Sequence, residues 1–108
     1  MSVDVQRVVA MVDAIEQEMR SIGAWQATPL EEEKYAFKQA FAMDTMPFLQ
    51  WLQFIFLVRV RSLIESNGPF PSQSQVGIQA RRELDGQAEA YSLADLLGEF
   101  DALFNEQA

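Results

Sequence analysis

The sequence predicts an all-α fold, a compact bundle of four main helices plus one short helix. Three observations carry that expectation. Apolar residues recur at helical spacing near both ends of the chain. The long apolar stretch in the middle lacks the two-residue alternation of a half-buried strand. Proline, glycine and capping residues stand where helices must begin or stop. At 108 residues the chain has room for one core. The expected organisation is therefore a single helical domain over 1–108.

The first helix is expected over residues 3–22. Val5, Val8, Val12, Ile15, Met19 and Ile22 form a heptad-like apolar seam, with Asp13, Glu16, Gln17 and Arg20 off it. Ser2 is the expected N-cap, and Gly23 stands where a left-handed residue ends a helix. A short helix is expected over 29–35, with Thr28 as its cap, Pro29 at its first position and Glu31 three residues after the cap. Tyr35, Phe37 and Phe41 are expected to pin the irregular stretch that follows to the core.

The central helix is expected to start after Asp44 as N-cap and to run to about Ser66. Asn67-Gly68-Pro69 would stop it. At 100° per residue, Phe48, Leu52, Ile55, Arg59 and Leu63 share one stripe. The opposite face still carries Phe54, Leu57 and Ile64, so this helix should be buried nearly all round. Arg59 then falls among core positions. Burial would demand an ion pair with the acidic C-terminal third, or a head that snorkels to the surface, or a place lining a ligand pocket.

Residues 67–77 read as a loop, with Phe70 between Pro69 and Pro71 as a plug for an apolar gap. A short helix near 76–84 places Val76, Ala80 and Leu84 on one face. The last helix begins at a capping-box-like Ser92-Leu93-Ala94-Asp95. Its stripe is Leu93, Leu96, Leu97, Phe100, Leu103 and Phe104, ringed by Asp95, Glu99, Asp101 and Glu106.

Composition narrows the chemistry. There is no cysteine and no histidine, so disulfides, thiol nucleophiles, imidazole bases and the usual zinc and haem ligand sets are absent. Five glycines are scattered at turns rather than gathered in a phosphate-cradling loop. Glu31-Glu32-Glu33 points to different sides of a helix and reads as a solvated first turn, not a metal site. No cofactor and no metal are expected, and the chain is not expected to be an enzyme. Eight basic against sixteen acidic residues give a net charge of −8, which disfavours direct nucleic-acid binding. The charge is uneven. Residues 59–82 hold Arg59, Arg61, Arg81 and Arg82 against Glu65 alone, and from Glu83 onward there are seven acids and no base. These stretches are expected to face one another, with a small anion site at Arg81 and Arg82 as the sharper alternative. The apolar run from Thr45 to Val58 is 14 residues long, too short for a membrane span of about 20, and the N-terminus lacks a signal-peptide pattern. A cytoplasmic setting is the expectation.

Phe41-Ala42-Met43-Asp44-Thr45-Met46, followed by Trp51-Leu52-Gln53-Phe54 and Arg59, resembles the YqcC-like family of small bacterial proteins. Trp25 with Pro29, Gly68 before Pro69 and Pro71, and Asp101-Ala102-Leu103 within Leu97–Phe104 extend the resemblance over roughly 15–106. The chain departs from that pattern at Val58, where a proline is common, and at Ile78, Arg81 and Arg82, where a proline and acids are common. The resemblance implies an all-helical fold without an established activity. It also implies a gene neighbourhood shared with a tRNA pseudouridine synthase. By the motif, the candidate binding residues are Asp44, Thr45, Trp51, Gln53 and Arg59.

The leading expectation is a non-enzymatic interaction or accessory module, associated with tRNA modification, whose partner is a protein with a basic surface. Self-association through helical faces is a further expectation. The alternative is a small-molecule or anion binder using an inter-helix pocket near Arg59. A carboxylate-based enzyme would need two acids converging in a cleft.

Overall fold

Helix α1, Val5–Ser21, buries Val8, Val12, Ile15 and Met19, four members of the predicted seam. The computed structural model describes residues 4–71 and 73–105. Ser2 lies outside them, and the cap is supplied by Asp4, whose carboxylate accepts from the Gln6 N–H at 3.0 Å. Gly23 takes a φ of +74°, and the Ala24 N–H reaches back to the Met19 carbonyl at 2.8 Å, closing the helix as the sequence leads one to expect.

The predicted helix at 29–35 is only a 3-10 turn, Glu32–Tyr35, preceded by Glu31 with no side-chain cap. Thr28 and Pro29 therefore do not start a helix. Three adjacent glutamates crowd the turn: the Glu33 carboxyl is pushed above its ordinary range by its hydrogen bond to Glu31 and by that neighbour's charge. Of the three expected pins, Phe37 and Phe41 pack on the core, but Tyr35 is exposed. A second 3-10 turn, Ala40–Ala42, contains Phe41 at φ +58° and Ala42 at φ +54°. Left-handed conformations cost non-glycine residues about 1–2 kcal/mol each. The turn is held by the Thr45 and Met46 N–H groups, which both donate to the Ala42 carbonyl at 3.1 Å.

The central helix is broken into three parts: α2 at Phe48–Trp51, a π-helical turn at Leu52–Phe56, and α3 at Leu57–Glu65. It starts later than Asp44, with Pro47 at the N-cap position. The π turn corrects the predicted stripe. An i→i+5 turn takes up about one more residue than an α turn, so every later residue is displaced by one place. Val60 and Ile64 occupy the core side where Arg59 and Leu63 were expected. Val58, Arg59, Ser62 and Glu65 form an exposed face, so this helix is not buried all round.

Helix α4, Val76–Glu83, and α5, Tyr91–Asn105, follow a loop whose Phe70 packs against Phe104 with ring centroids 6.2 Å apart. Helix α5 starts earlier than Ser92, after a 3-10 turn at Ala88–Ala90, and Asp95 pairs with Arg81 rather than closing a capping box. The two helices run antiparallel. Gly77 faces Gly98 and Asp101, and one turn further along α4 Arg81 faces Asp95. A Cβ at Gly77 would lie 2.7 Å from the Gly98 Cα, so the missing side chain of Gly77 sets the closeness of this crossing. The buried residues form a single cluster fed by α1, the central helix, α4 and α5. The described residues contain no strand, and the fold is all-α.

Candidate functional site

The five residues singled out by the motif have separate places. Asp44 is exposed and fastens the segment before it: its carboxylate accepts from the Lys38 N–H at 2.9 Å and the Gln39 N–H at 3.3 Å. The Lys38 hydrogen bond is the main reason its carboxyl is held below the ordinary aspartate range. Thr45 donates its hydroxyl to the Lys34 carbonyl at 2.7 Å, while the Lys34 ammonium donates to the Thr45 carbonyl at 3.1 Å. Together these contacts stitch residues 34–39 to 44–45, across the strained Phe41–Ala42 turn.

Trp51 is 8% exposed and lies among Phe41, Phe48 and Phe56, at centroid separations of 4.9, 5.6 and 5.5 Å. It is a core anchor. Gln53 is buried and engaged through both ends of its amide: it accepts from the Gln26 N–H at 2.9 Å and donates to the Gln26 carbonyl at 2.8 Å. The amide thus mimics a backbone partner for the stretch after α1. Arg59 is exposed on α3 and makes no ion pair among the described residues. The expected buried ion pair is absent because the π turn swings this residue off the core. Its exposure also removes the enclosed setting that an anion pocket at Arg59 requires. Four of the five residues therefore build the fold.

Among the described residues, the predicted facing of basic and acidic stretches is realised once. Arg81 pairs with Asp95 at 2.9 Å, whereas Arg61 turns to Asp13 and Glu16 of α1 at 3.3 and 2.7 Å. Asp101, expected on the surface, is 7% exposed. Its carboxylate accepts from the Ser74 hydroxyl at 2.5 Å, the Val76 N–H at 3.1 Å and the Gly77 N–H at 2.8 Å, capping α4 from a different helix.

Two concavities flank α4. One, of about 370 Å³, lies between α4 and α5 and is lined by Arg81, Leu84, Asp85, Tyr91, Ala94 and Asp95. The other, of about 200 Å³, lies against the strained turn and is lined by Phe41, Met43, Met46, Pro47, Phe48 and Glu83. Among the described residues no group of three or more metal-ligating side chains is placed to hold an ion. Asp85 and Asp95 do share the larger groove, but both are exposed and Asp95 is taken by Arg81. Sequence reasoning marked Arg81 and missed Tyr91; the available signal was an aromatic residue at the start of α5, outside its apolar stripe. No described helix is long and apolar enough to cross a membrane.

The architecture is that of an acidic, all-helical protein with an open groove beside an exposed tyrosine. The family model DUF446, described as tRNA pseudouridine synthase C, matches residues 7–103, and the chain belongs to this family. The protein named Uncharacterized protein YqcC from Escherichia coli (strain K12) is 31% identical over 104 residues, 94% of each chain. An uncharacterized protein of Haemophilus influenzae is 33% identical over 55 residues, 51% of this chain and 52% of that one. A protein of Pectobacterium carotovorum subsp. carotovorum named tRNA pseudouridine synthase C is 39% identical over 57 residues, 53% of this chain but only 15% of that protein. No solved structure matches.

Proposed function

We propose that this protein is a non-enzymatic accessory module that binds a tRNA pseudouridine synthase. The observation that carries this reading is the Pectobacterium relative: a stretch like half of this chain lies within a much longer protein bearing the synthase name. Segments fused in one chain act at high effective concentration, and separate chains need an interface to gain the same proximity. The charge supports the pairing. An enzyme that handles tRNA must present cationic surface to phosphates, and a module with net charge −8 is steered toward such a protein. The module itself supplies binding rather than chemistry, since its groove carboxylates are exposed and the chain has neither histidine nor cysteine.

The test is retention of the synthase from the same organism on the immobilised protein at low and high salt. Retention at low salt that falls as salt rises is the expected result. No retention even at low salt overturns the reading. An activity assay adds the functional arm: the protein alone leaves tRNA uridines unchanged, and added to the synthase it alters the rate or the substrate affinity of pseudouridine formation.

A further inference from the structure

Three of the exposed large apolar residues, Met43, Ile78 and Tyr91, belong to α4 or to the segments that flank it. On the α5 side the surface is shaped. Ile78 and Arg81 lie three residues apart on one stripe of α4, Asp85 stands in the turn just beyond its end, and Tyr91 and Asp95 follow one stripe of α5. Between them the groove has an apolar floor, Leu84 and Ala94, buried to 3% and 2% exposure, and a tyrosine wall left 50% exposed. Its volume of about 370 Å³ lies at the small end of the range for ligand sites, enough for one long side chain and its neighbours. The elements that frame it carry exposed Asp85, Glu89, Asp95 and Glu99 against Arg81 and Arg82, so the rim is net negative.

The groove already contains a guanidinium. Arg81 Nη2 donates to Asp95 Oδ1 at 2.9 Å, with both side chains well exposed, at 61% and 69%. An ion pair so open to water is worth little and is easily exchanged. We propose that the α4–α5 groove is the docking site for an arginine- or lysine-bearing segment of the synthase, with Arg81 as the internal occupant that the incoming cation displaces. This rests on the function proposed above. The aliphatic stem of the incoming residue lies on Leu84 and Ala94, and its head stacks on Tyr91 and reaches Asp85 and the released Asp95. The sign of the Arg81 effect separates this arrangement from an anion site. A cationic occupant competes with Arg81, whereas an anionic one, such as tRNA or a phosphate, depends on it.

The experiment measures affinity of the purified synthase for the wild-type protein and four variants, with melting curves to confirm folding. Tyr91→Ala and Asp85→Lys are each expected to weaken binding about tenfold or more, as anchor residues do. Arg81→Ala is expected to strengthen it by about threefold, the magnitude of a weak exposed ion pair. Val58→Asp, on the exposed face of α3, is expected to change nothing. Groove variants that bind within twofold of wild type, or an Arg81→Ala that weakens binding, overturn the groove proposal while the accessory reading stands. A wild-type protein that does not bind the synthase overturns the reading and this occupant together. A dimer that Tyr91→Ala converts to a monomer assigns the groove to a second copy of the chain instead, and overturns the proposal in that way.

Discussion

Replacing Asp101 by alanine tests the most consequential polar contact in the fold. The carboxylate is 7% exposed and accepts from the Ser74 hydroxyl and from the Val76 and Gly77 N–H groups. An ordinary helix cap is worth about 1 kcal/mol, within a range of about 0.5–2. Asp101 does more, because it fastens the N-terminus of α4 and the preceding loop to α5. Hydrogen bonds to a charged group contribute about 1.5–3 kcal/mol each, but they are not additive, and deletion also removes the desolvation cost of the charge. The balance is a loss of about 3–4 kcal/mol, because the Val76 and Gly77 N–H groups are left buried without an acceptor at a cost of about 1–3 kcal/mol each. Against a total of about 5–15 kcal/mol this is severe. At roughly 4–8 °C per kcal/mol for a domain near this size, the Tm falls by about 12 °C or more. Asp101→Asn should lie between, since its oxygen still serves Ser74 and Val76 while its amide N–H₂ confronts the Gly77 N–H. Thermal and urea melts give the magnitudes, and hydrogen exchange at the Val76 and Gly77 amides gives the location. An Asp101→Ala protein within 1 kcal/mol of wild type, with those amides still protected, would refute the reasoning.

Further outcomes follow from the same geometry. Gly77→Ala, despite alanine's helix propensity, should destabilise by about 1–3 kcal/mol, because its Cβ would meet backbone atoms of Gly98 at 2.7 and 2.8 Å. Gly98→Ala should raise the Tm, since its Cβ meets only Arg81 Nη2 at 3.9 Å and the propensity gain is about 1 kcal/mol; equal effects at the two glycines in thermal melts would contradict the crossing. Trp51→Ala should cost about 3–5 kcal/mol through the cavity it leaves among Phe41, Phe48 and Phe56. Arg59→Met should leave the melt nearly unchanged, because that side chain is solvent-facing. Asp44 has a depressed pKa in the folded state, so its contribution is present above the unfolded-state value and is lost as pH falls through the folded one. The acid limb of a stability profile should therefore flatten in Asp44→Asn, and an unaltered limb would count against the Asp44 contacts.

The legible parts of the fold are those fixed by short-range pattern. The α1 seam, the stop at Gly23, the Val76–Ala80–Leu84 face and the α5 stripe each depend on spacing within one helix, and each stands as the spacing implies. The central helix kept its apolar content but lost its predicted register, because nothing in local spacing announces that Leu52–Phe56 will wind as a π turn. That single displacement exchanged Arg59 for Val60 in the core. The failures at Asp44 and at Asp95 of the predicted capping box share another cause: a residue with capping chemistry met a competing partner. Asp44 took the N–H groups of Lys38 and Gln39, and Asp95 took Arg81. Asp101 was invisible for the converse reason, as its donors lie 24–27 residues earlier and converge only after α4 and α5 pack.

The distribution of polar contacts also bears on where function can reside. Three polar residues of the motif are used within the chain: Asp44 and Thr45 brace a turn with two left-handed residues, and Gln53 completes the backbone of Gln26. A residue whose hydrogen bonds are satisfied inside the fold has little left to offer a partner without unfolding its neighbourhood. Around α4 the opposite holds. Its floor is apolar, its tyrosine wall is half open, and the Arg81–Asp95 ion pair is exposed enough to exchange. The glycine crossing that brings α4 against α5 makes this possible, because it sets the distance between the stripes that carry Arg81 and Asp95. A motif of folding residues and a surface of recognisable but scattered residues therefore lie in different places. Loss of binding with an unchanged melting curve at Tyr91, beside loss of the melt itself at Trp51, is the pattern that separates them.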